Sequence, residues 1–308
     1  MTTPPLPADD DHAALAAVAS HGGALCTVVG IDGSWSRRLG AQLAVLPDDA
    51  LDGTPNGAPN GAMIGSLADG CLERALAEEA RQGGPARLLR YGAGSPFLDI
   101  RLPCGSGVDV VIDPTPDPAA IAQAAQALAR RTPAQLPIGA FTRHYLPRLR
   151  LLIMGSGPET TALARLAHAQ GIETLLATPL GEDRRGENSE NSAPGPIPLS
   201  LAQPPALPTG WSPDAWTAIA ILFHDHEWER SLIPWALSTP AFYVGAQGGA
   251  KARHNRLTHL ASLGLPPATT ARLRSPIGLI PAARTPSVLA LSVLADVVGA
   301  YEALTPPR

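Results

Sequence analysis

The chain carries three cysteines, Cys26, Cys71 and Cys104, in three different settings. Cys26 lies inside the apolar run ALCTVVG, where a thiol acts as a small buried hydrophobe. Cys71 ends the small-residue run GSLADG and opens a segment of helical period. Leu72, Ala75, Leu76 and Ala80 share one apolar stripe, while Arg74 and Glu78 stand four apart on the wet side. Asp69 is a candidate N-cap, which would place Cys71 in the first helical turn. A helix N-terminus lowers a thiol's pKa and favours the thiolate, the form that attacks and that ligates metals. The Gly65-Ser66 and Asp69-Gly70 turn would add backbone N–H donors for an anion. Cys104 sits before Gly105 in LPCGSGVDV, a turn between strands. If these loops meet at one sheet edge, Cys71 and Cys104 could face a single ligand.

Three further clusters lie in the second half. MGSGPETTALA follows an apolar strand and opens a helix, with Gly155 and Gly157 where a dinucleotide fold places its first two glycines. Its third glycine is replaced by Thr160, which should loosen helix–strand packing. The acidic residue that grips ribose at the end of the next strand is replaced by Thr178. The fold signal is therefore stronger than the cofactor signal, and NAD is not expected to bind well. HDHE (224–227) puts His224 and His226 two apart, able to share one side of an extended segment and grip a metal, or to be plain cleft-lining loop. GAQGGAKARHNRL (245–257) puts Lys251, Arg253 and Arg256 behind glycines, either an anion site or a solvated basic helix face.

The elements that would position these residues differ between the halves. Residues 1–131 read as short strands (ALCTVVG, AQLAVL, RLLRYG, FLDIRL, VDVVIDP) joined by Gly/Pro-rich links, with helices near Cys71 and over 118–131. Short links imply a mainly antiparallel sheet. TPNGAPNG (54–61) reads as an exposed turn. Residues 132–147 carry three prolines and no visible period, and read as a linker. Residues 148–308 alternate strand and helix, the pattern of a doubly wound parallel sheet of Rossmann type. The polar stretch 181–198 is expected to be mobile.

Bulk properties narrow the function. A chain of 308 residues with 45% hydrophobic residues supports two cores, and a net charge of -4 argues against nucleic acid as a partner. The N-terminus lacks a basic segment followed by an apolar one, so no signal peptide is read. No apolar run approaches the roughly 20 residues of a membrane span. An odd cysteine count is no disulfide framework, and a cytoplasmic location is expected. Leu289, Val293, Leu294 and Val297 form a stripe on the last helix that suggests a homodimer face.

The chain resembles the XdhC/CoxI family, maturation factors for molybdenum hydroxylases such as xanthine dehydrogenase. The resemblance rests on TVVGIDGSWSRRLGAQLAVL, IGSLADGCLERALAEEA, LLRYG, LPCGSGVDVVIDP, LLIMGSGPE, AFYVGAQGGAKARHNRL, SPIGL and ARTPSVLALSVLADVV, in that order. It implies an N-terminal α/β domain, a C-terminal Rossmann domain, and a carrier rather than a catalyst. Such a carrier would bind molybdenum cofactor, as molybdopterin or its cytosine dinucleotide form. It would shield the cofactor during sulfuration, which brings in a cysteine desulfurase, and deliver it to an apo molybdenum hydroxylase. The cofactor would contact Gly65, Ser66, Asp69, Gly70, Cys71, Cys104 and Gly105, with both thiols toward molybdenum and Gly155 and Gly157 in a supporting wall. The chain departs from the family pattern at Ala68-Asp69 (usually Ser-Gly), Ser156 (usually Ala), Thr178 (usually Asp) and Ile280-Pro281-Ala282 (usually Asp-Ile-Gly). A nicotinamide-dependent oxidoreductase built on the Rossmann half is the competing reading.

Overall fold

A computed structural model describes residues 11–47, 62–68, 70, 72–96, 105–179, 197–201, 207–208 and 211–304. The chain divides into two compact units, one running to Pro147 and the other beginning at Arg148.

The first unit contains α1 (Asp11–His21), β1 (Ala24–Asp32), β2 (Gln42–Val45), β3 (Met63–Gly65), α2 (Glu73–Arg81), β4 (Arg87–Gly92), β5 (Gly107–Asp113), α3 (Pro118–Ala129), β6 (Ala134–Ile138) and β7 (Phe141–Tyr145). Five strands form an antiparallel sheet in the order β3-β2-β1-β5-β4. β1 is central and must be apolar on both faces, because successive side chains of a strand point opposite ways. Cys26 and Val28 pack with Leu72, Leu76, Ala77 and Ala80 of the α2 segment. Leu25 packs on the other face with Ala14, Leu15 and Val18 of α1 and Ile121 and Ala124 of α3. The helical stripe read from the sequence is thus the stripe that α2 buries. The FLDIRL run and the TPNGAPNG turn lie outside the described residues.

Two readings change here. α1 is a helix without a sequence signal, because its many alanines leave no sharp amphipathic pattern. Residues 132–147, expected to be a bare linker, carry the β6–β7 hairpin instead. Ala134, Leu136 and Ile138 alternate buried along β6 and join Tyr145 in the α1/α3 core. Pro133 and Pro137 obscure that period, although Pro137 sits on the exposed side of its strand. The hairpin is also pinned by charge. Asp11, 6% exposed, accepts a hydrogen bond from the Gln42 amide at 3.1 Å and pairs with Arg143 Nη2 at 2.6 Å.

The second unit contains β8 (Arg150–Gly155), α4 (Pro158–Ala169), β9 (Glu173–Pro179), β10 (Ile197–Leu201), β11 (Thr217–Leu222), α5 (His226–Ser238), β12 (Tyr243–Ala246), α6 (Ala250–Ser262), α7 (Pro267–Thr270), β13 (Leu273–Arg274) and α8 (Pro286–Glu302). All six strands are parallel, in the order β10-β9-β8-β11-β12-β13. β8 and β11 are buried throughout or nearly so, as the inner strands of a sheet covered on both faces must be. Leu152, Met154, Ile219 and Ile221 meet Leu232 and Ile233 of α5 on one face. Leu151, Ile153, Ala218 and Ala220 meet Leu163 of α4 and Val293 of α8 on the other.

This packing bears on two more expectations. The α8 stripe of Leu289, Val293, Leu294 and Val297 is consumed in the unit's own core, so it offers no face to a twin. Ile197 and Pro198, read as the end of the mobile insert, begin β10; residues 180–196 lie outside the described residues. The strand order reverses between β8 and β11, and ligands of such folds bind where the loops after those strands diverge.

Candidate functional site

In the first unit the loops converge on one sheet edge. Gly107, which opens β5, pairs with Asp32 at the end of β1 and with Gly92 at the end of β4. Trp35 Nε1 donates to the Leu67 carbonyl at 3.0 Å, and Ser106 Oγ donates to the Ser34 carbonyl at 2.5 Å. The loop 33–35 therefore ties the chain around Cys71 to the chain just after Cys104. Gly65 ends β3 at φ +100°, and a Cβ there would strike the Gln42 carbonyl oxygen, so only glycine fits. Gly70 and Gly105 have open space where a side chain would stand. Asp69, Cys71 and Cys104 themselves lie outside the described residues.

The organiser of this loop is Glu73, a residue outside the candidate set read from the sequence. Its Oε1 accepts hydrogen bonds from Ser66 Oγ at 3.0 Å, Leu67 N at 3.0 Å and Ala68 N at 2.8 Å. Its Oε2 accepts from Leu72 N at 3.1 Å. Burial by itself would push the Glu73 pKa up; the amides of Ala68, Glu73 and Leu67 and the Ser66 hydroxyl outweigh it and hold the carboxyl below its ordinary value. Two consequences follow for the sequence reading. Helix α2 begins at Glu73 with Leu72 as its N-cap, so it starts later than the N-cap expected at Asp69 would have it. The Ser66 hydroxyl and the Leu67 and Ala68 amides serve the Glu73 carboxylate, a different set from the Gly65-Ser66 and Asp69-Gly70 amides offered above to an anion. A glutamate inside a small-residue loop is the signal that could have revealed this.

Cys26 is fully buried, and its thiol is pushed up to about 12, chiefly by burial, with Arg87 lowering it and Asp113 raising it further. It is packing, as its sequence setting implies.

The second unit presents the other candidates at the carboxyl edge of its parallel sheet. Gly157 caps α4 at φ 90°, a conformation suited to glycine. A Cβ on Gly155 would lie 2.6 Å from Thr160 Oγ1 and 2.9 Å from the Leu222 carbonyl. Thr160 is buried and fills the space above Gly155, its Oγ1 donating to the Ser156 carbonyl at 3.3 Å. The first turn of α4 holds Glu159, whose Oε2 lies 3.6 Å from His224 Nε2 and has no hydrogen-bond partner. A carboxylate thus stands where a dinucleotide would bring its pyrophosphate. Thr178 lies near the end of β9, in register with Ser200 of β10.

The HDHE and GAQGGAK segments, separate in sequence, come together. They line a cleft of ≈ 480 Å³ that includes His224, His226, Gln247, Gly249, Lys251 and Asn255. Beneath it, buried Glu229 accepts from Arg256 Nε at 2.9 Å and from Arg256 Nη2, and pairs with His226 Nδ1 at 2.9 Å. Arg256 Nη1 also donates to Ser275 Oγ at 2.8 Å. The basic residues are therefore not equivalent: Arg256 is a buried structural cation, whereas Lys251 is exposed. Among the described residues no group of three His, Cys, Asp or Glu side chains is placed to hold a metal ion.

Family models match both units, the "XdhC and CoxI family" over residues 16–92 and the "XdhC Rossmann domain" over residues 151–297. The chain is 30% identical over 317 aligned positions to the molybdenum cofactor insertion chaperone PaoD of Escherichia coli K12, covering 94% of this chain and 88% of that protein. It is 26% identical to a protein of Bacillus subtilis described as a probable xanthine dehydrogenase subunit, covering 51% of this chain and 44% of that one. A crystal structure of a xanthine dehydrogenase from Bacillus halodurans shares the fold, with a TM-score of 0.66 and 19% identity over 92% of this chain and 93% of that one. With both units matched and a relative at this identity spanning nearly the whole length, the chain belongs to the XdhC and CoxI family.

Proposed function

We propose that this protein is a molybdenum-cofactor chaperone that holds the cofactor during its maturation and delivers it to an apo molybdenum hydroxylase of the xanthine dehydrogenase type. The observation that carries the reading is the 30% identity, over 94% of the chain, to a molybdenum cofactor insertion chaperone. The first unit supports it with geometry. The chain leading to Cys71, at Leu67, and the chain just after Cys104, at Ser106, are fastened to one loop, 33–35, at one sheet edge. Thiolates are soft ligands, so Cys71 and Cys104 are the residues of this chain suited to molybdenum. Gly65, Ser66, Asp69, Gly70 and Gly105 would shape the approach.

The cargo is molybdopterin or its cytosine dinucleotide form, and the partners are the apo-hydroxylase and a cysteine desulfurase. The protein works in the cytoplasm as a homodimer. With the α8 stripe buried, a twin would have to meet other apolar side chains, and Leu279, Ile280, Val288 and Leu291 are exposed among the described residues. Glu159 at the start of α4 weighs against the nicotinamide reading, since its charge opposes a pyrophosphate at Gly155 and Gly157.

The test is single replacement of each cysteine by serine, followed by molybdenum analysis of the purified protein and by activation of a client hydroxylase. Cys71→Ser and Cys104→Ser should lose bound molybdenum and activation, and Cys26→Ser should keep both. Full retention in the first two variants removes the site from this edge.

A further inference from the structure

Three long helices of the second unit begin at the carboxyl edge of the parallel sheet, and their N-termini are not alike. The first turn of α4 contains the Glu159 carboxylate, whose Oε2 accepts no hydrogen bond. α5 is capped by Asp225, which accepts from the Glu227 amide at 3.0 Å, and carries Glu227 and Glu229 in its first turn. α6 starts from Gly249 with no side-chain cap and no acid in its first turn. Its positive end is the one left uncompensated by a carboxylate of its own.

The surroundings of α6 add independent observations. The cleft of ≈ 480 Å³ at this end is lined from two loops, by His224 and His226 after β11 and by Gln247, Gly249 and Lys251 after β12. Lys251 is exposed and makes no ion pair with any described residue. The Oε1 of Gln247 is buried and has no hydrogen-bond partner, so it requires an N–H or O–H from something else. The floor is fixed, because Glu229 and Ser275 lock Arg256 behind Gly248. His226 spends Nδ1 on Glu229, which leaves Nε2 for the cleft.

We propose that this cleft is an anion site that takes the phosphate of a phosphorylated small molecule carrying an N–H or O–H donor. The α6 amides and Lys251 hold the phosphate, His224 and His226 flank it, and Gln247 accepts from the donor. The phosphate-binding role of a Rossmann fold has thus passed from the first βα turn, which Glu159 closes, to the turn after β12. The inference stands apart from the chaperone reading and does not use the cysteines.

The experiment is calorimetric titration of the full chain with inorganic phosphate and with pyrophosphate at low ionic strength. Wild type should bind one equivalent. Lys251→Ala should weaken binding by roughly tenfold or more, as loss of one charge-assisted contact does. Gly249→Asp is the sharper variant. Gly249 has φ -84° and open space at its Cβ, so an aspartate fits and caps α6. It should keep or raise the melting temperature while abolishing phosphate binding. Glu159→Gln removes a negative charge that lies 3.6 Å from His224 Nε2, and should bind as tightly as wild type or tighter. The proposal is overturned if wild type binds neither probe at millimolar concentration. It is equally overturned if Lys251→Ala and Gly249→Asp bind normally, or if Glu159→Gln loses binding.

Discussion

Replacing Glu73 by Gln should open the loop that carries Cys71 without disturbing the rest of the first unit. Glu73 is 8% exposed and its two oxygens accept four hydrogen bonds from Ser66, Leu67, Ala68 and Leu72. Glutamine keeps the shape and one acceptor. Its NH₂ takes the place of Oε2 and faces the Leu72 N–H, leaving a buried donor unmet at a cost of about 1–3 kcal/mol. The three bonds to Oε1 lose their charge assistance, roughly 0.5 kcal/mol or more each. These terms share one carboxylate and do not add fully, so a local destabilisation of about 3 kcal/mol is expected. Amide hydrogen exchange read by mass spectrometry over residues 66–72 is the suitable assay, since a two-unit chain need not unfold in one step. Exchange there should rise about 100-fold at neutral pH. The pH dependence follows from the sign of the shift. The folded-state pKa is depressed, so the stabilisation is complete above the unfolded value near ~4.3 and is lost as pH falls through the folded value. The gap in protection between wild type and variant should hold down to mildly acidic pH and close below that. A change of less than about threefold at neutral pH would refute the assignment of Glu73 as the organiser of the loop.

Other outcomes are equally direct. Asp11→Ala leaves Arg143 buried and unpaired, so the first unit should lose about 3–5 kcal/mol, measured by calorimetry; a loss under about 1 kcal/mol contradicts the pairing. With its thiol pushed up to about 12, Cys26 is thiolate in only about one molecule in 10⁴ at pH 8, so it should resist iodoacetamide until the protein unfolds. Native-state labelling at the unfolded rate counts against that burial. NAD should bind weakly or not at all, and a micromolar affinity, near about -8 kcal/mol, would show that Glu159 does not block the turn. Light scattering should return twice the monomer mass, and a value near 31.8 kDa across a wide concentration range sinks the homodimer.

Periodicity alone determined much of this protein. Apolar runs of strand length, a helical stripe at Leu72, Leu76 and Ala80, and the strand–helix alternation after residue 148 specify two cores and two sheet types. They do so because burial of one face depends on local repeat. Gly65 and Gly157 were legible because left-handed backbone selects glycine. Periodicity states which residues leave water and not which surface receives them. The α8 stripe therefore looked available to a twin until Leu163 and its neighbours on α4 and β8 were seen to cover it. The β6–β7 hairpin passed as a linker because prolines hide alternation whose reward is long-range, against α1 and α3. Glu73 read as one more acid on a helix, since nothing local says that three amides and a hydroxyl converge on it. The joining of His224 and His226 with Lys251 was decided by the parallel pairing of β11 with β12, which brings two loops to one edge. Chemistry that depends on two distant segments is set by strand order, and strand order is a property of the folded sheet.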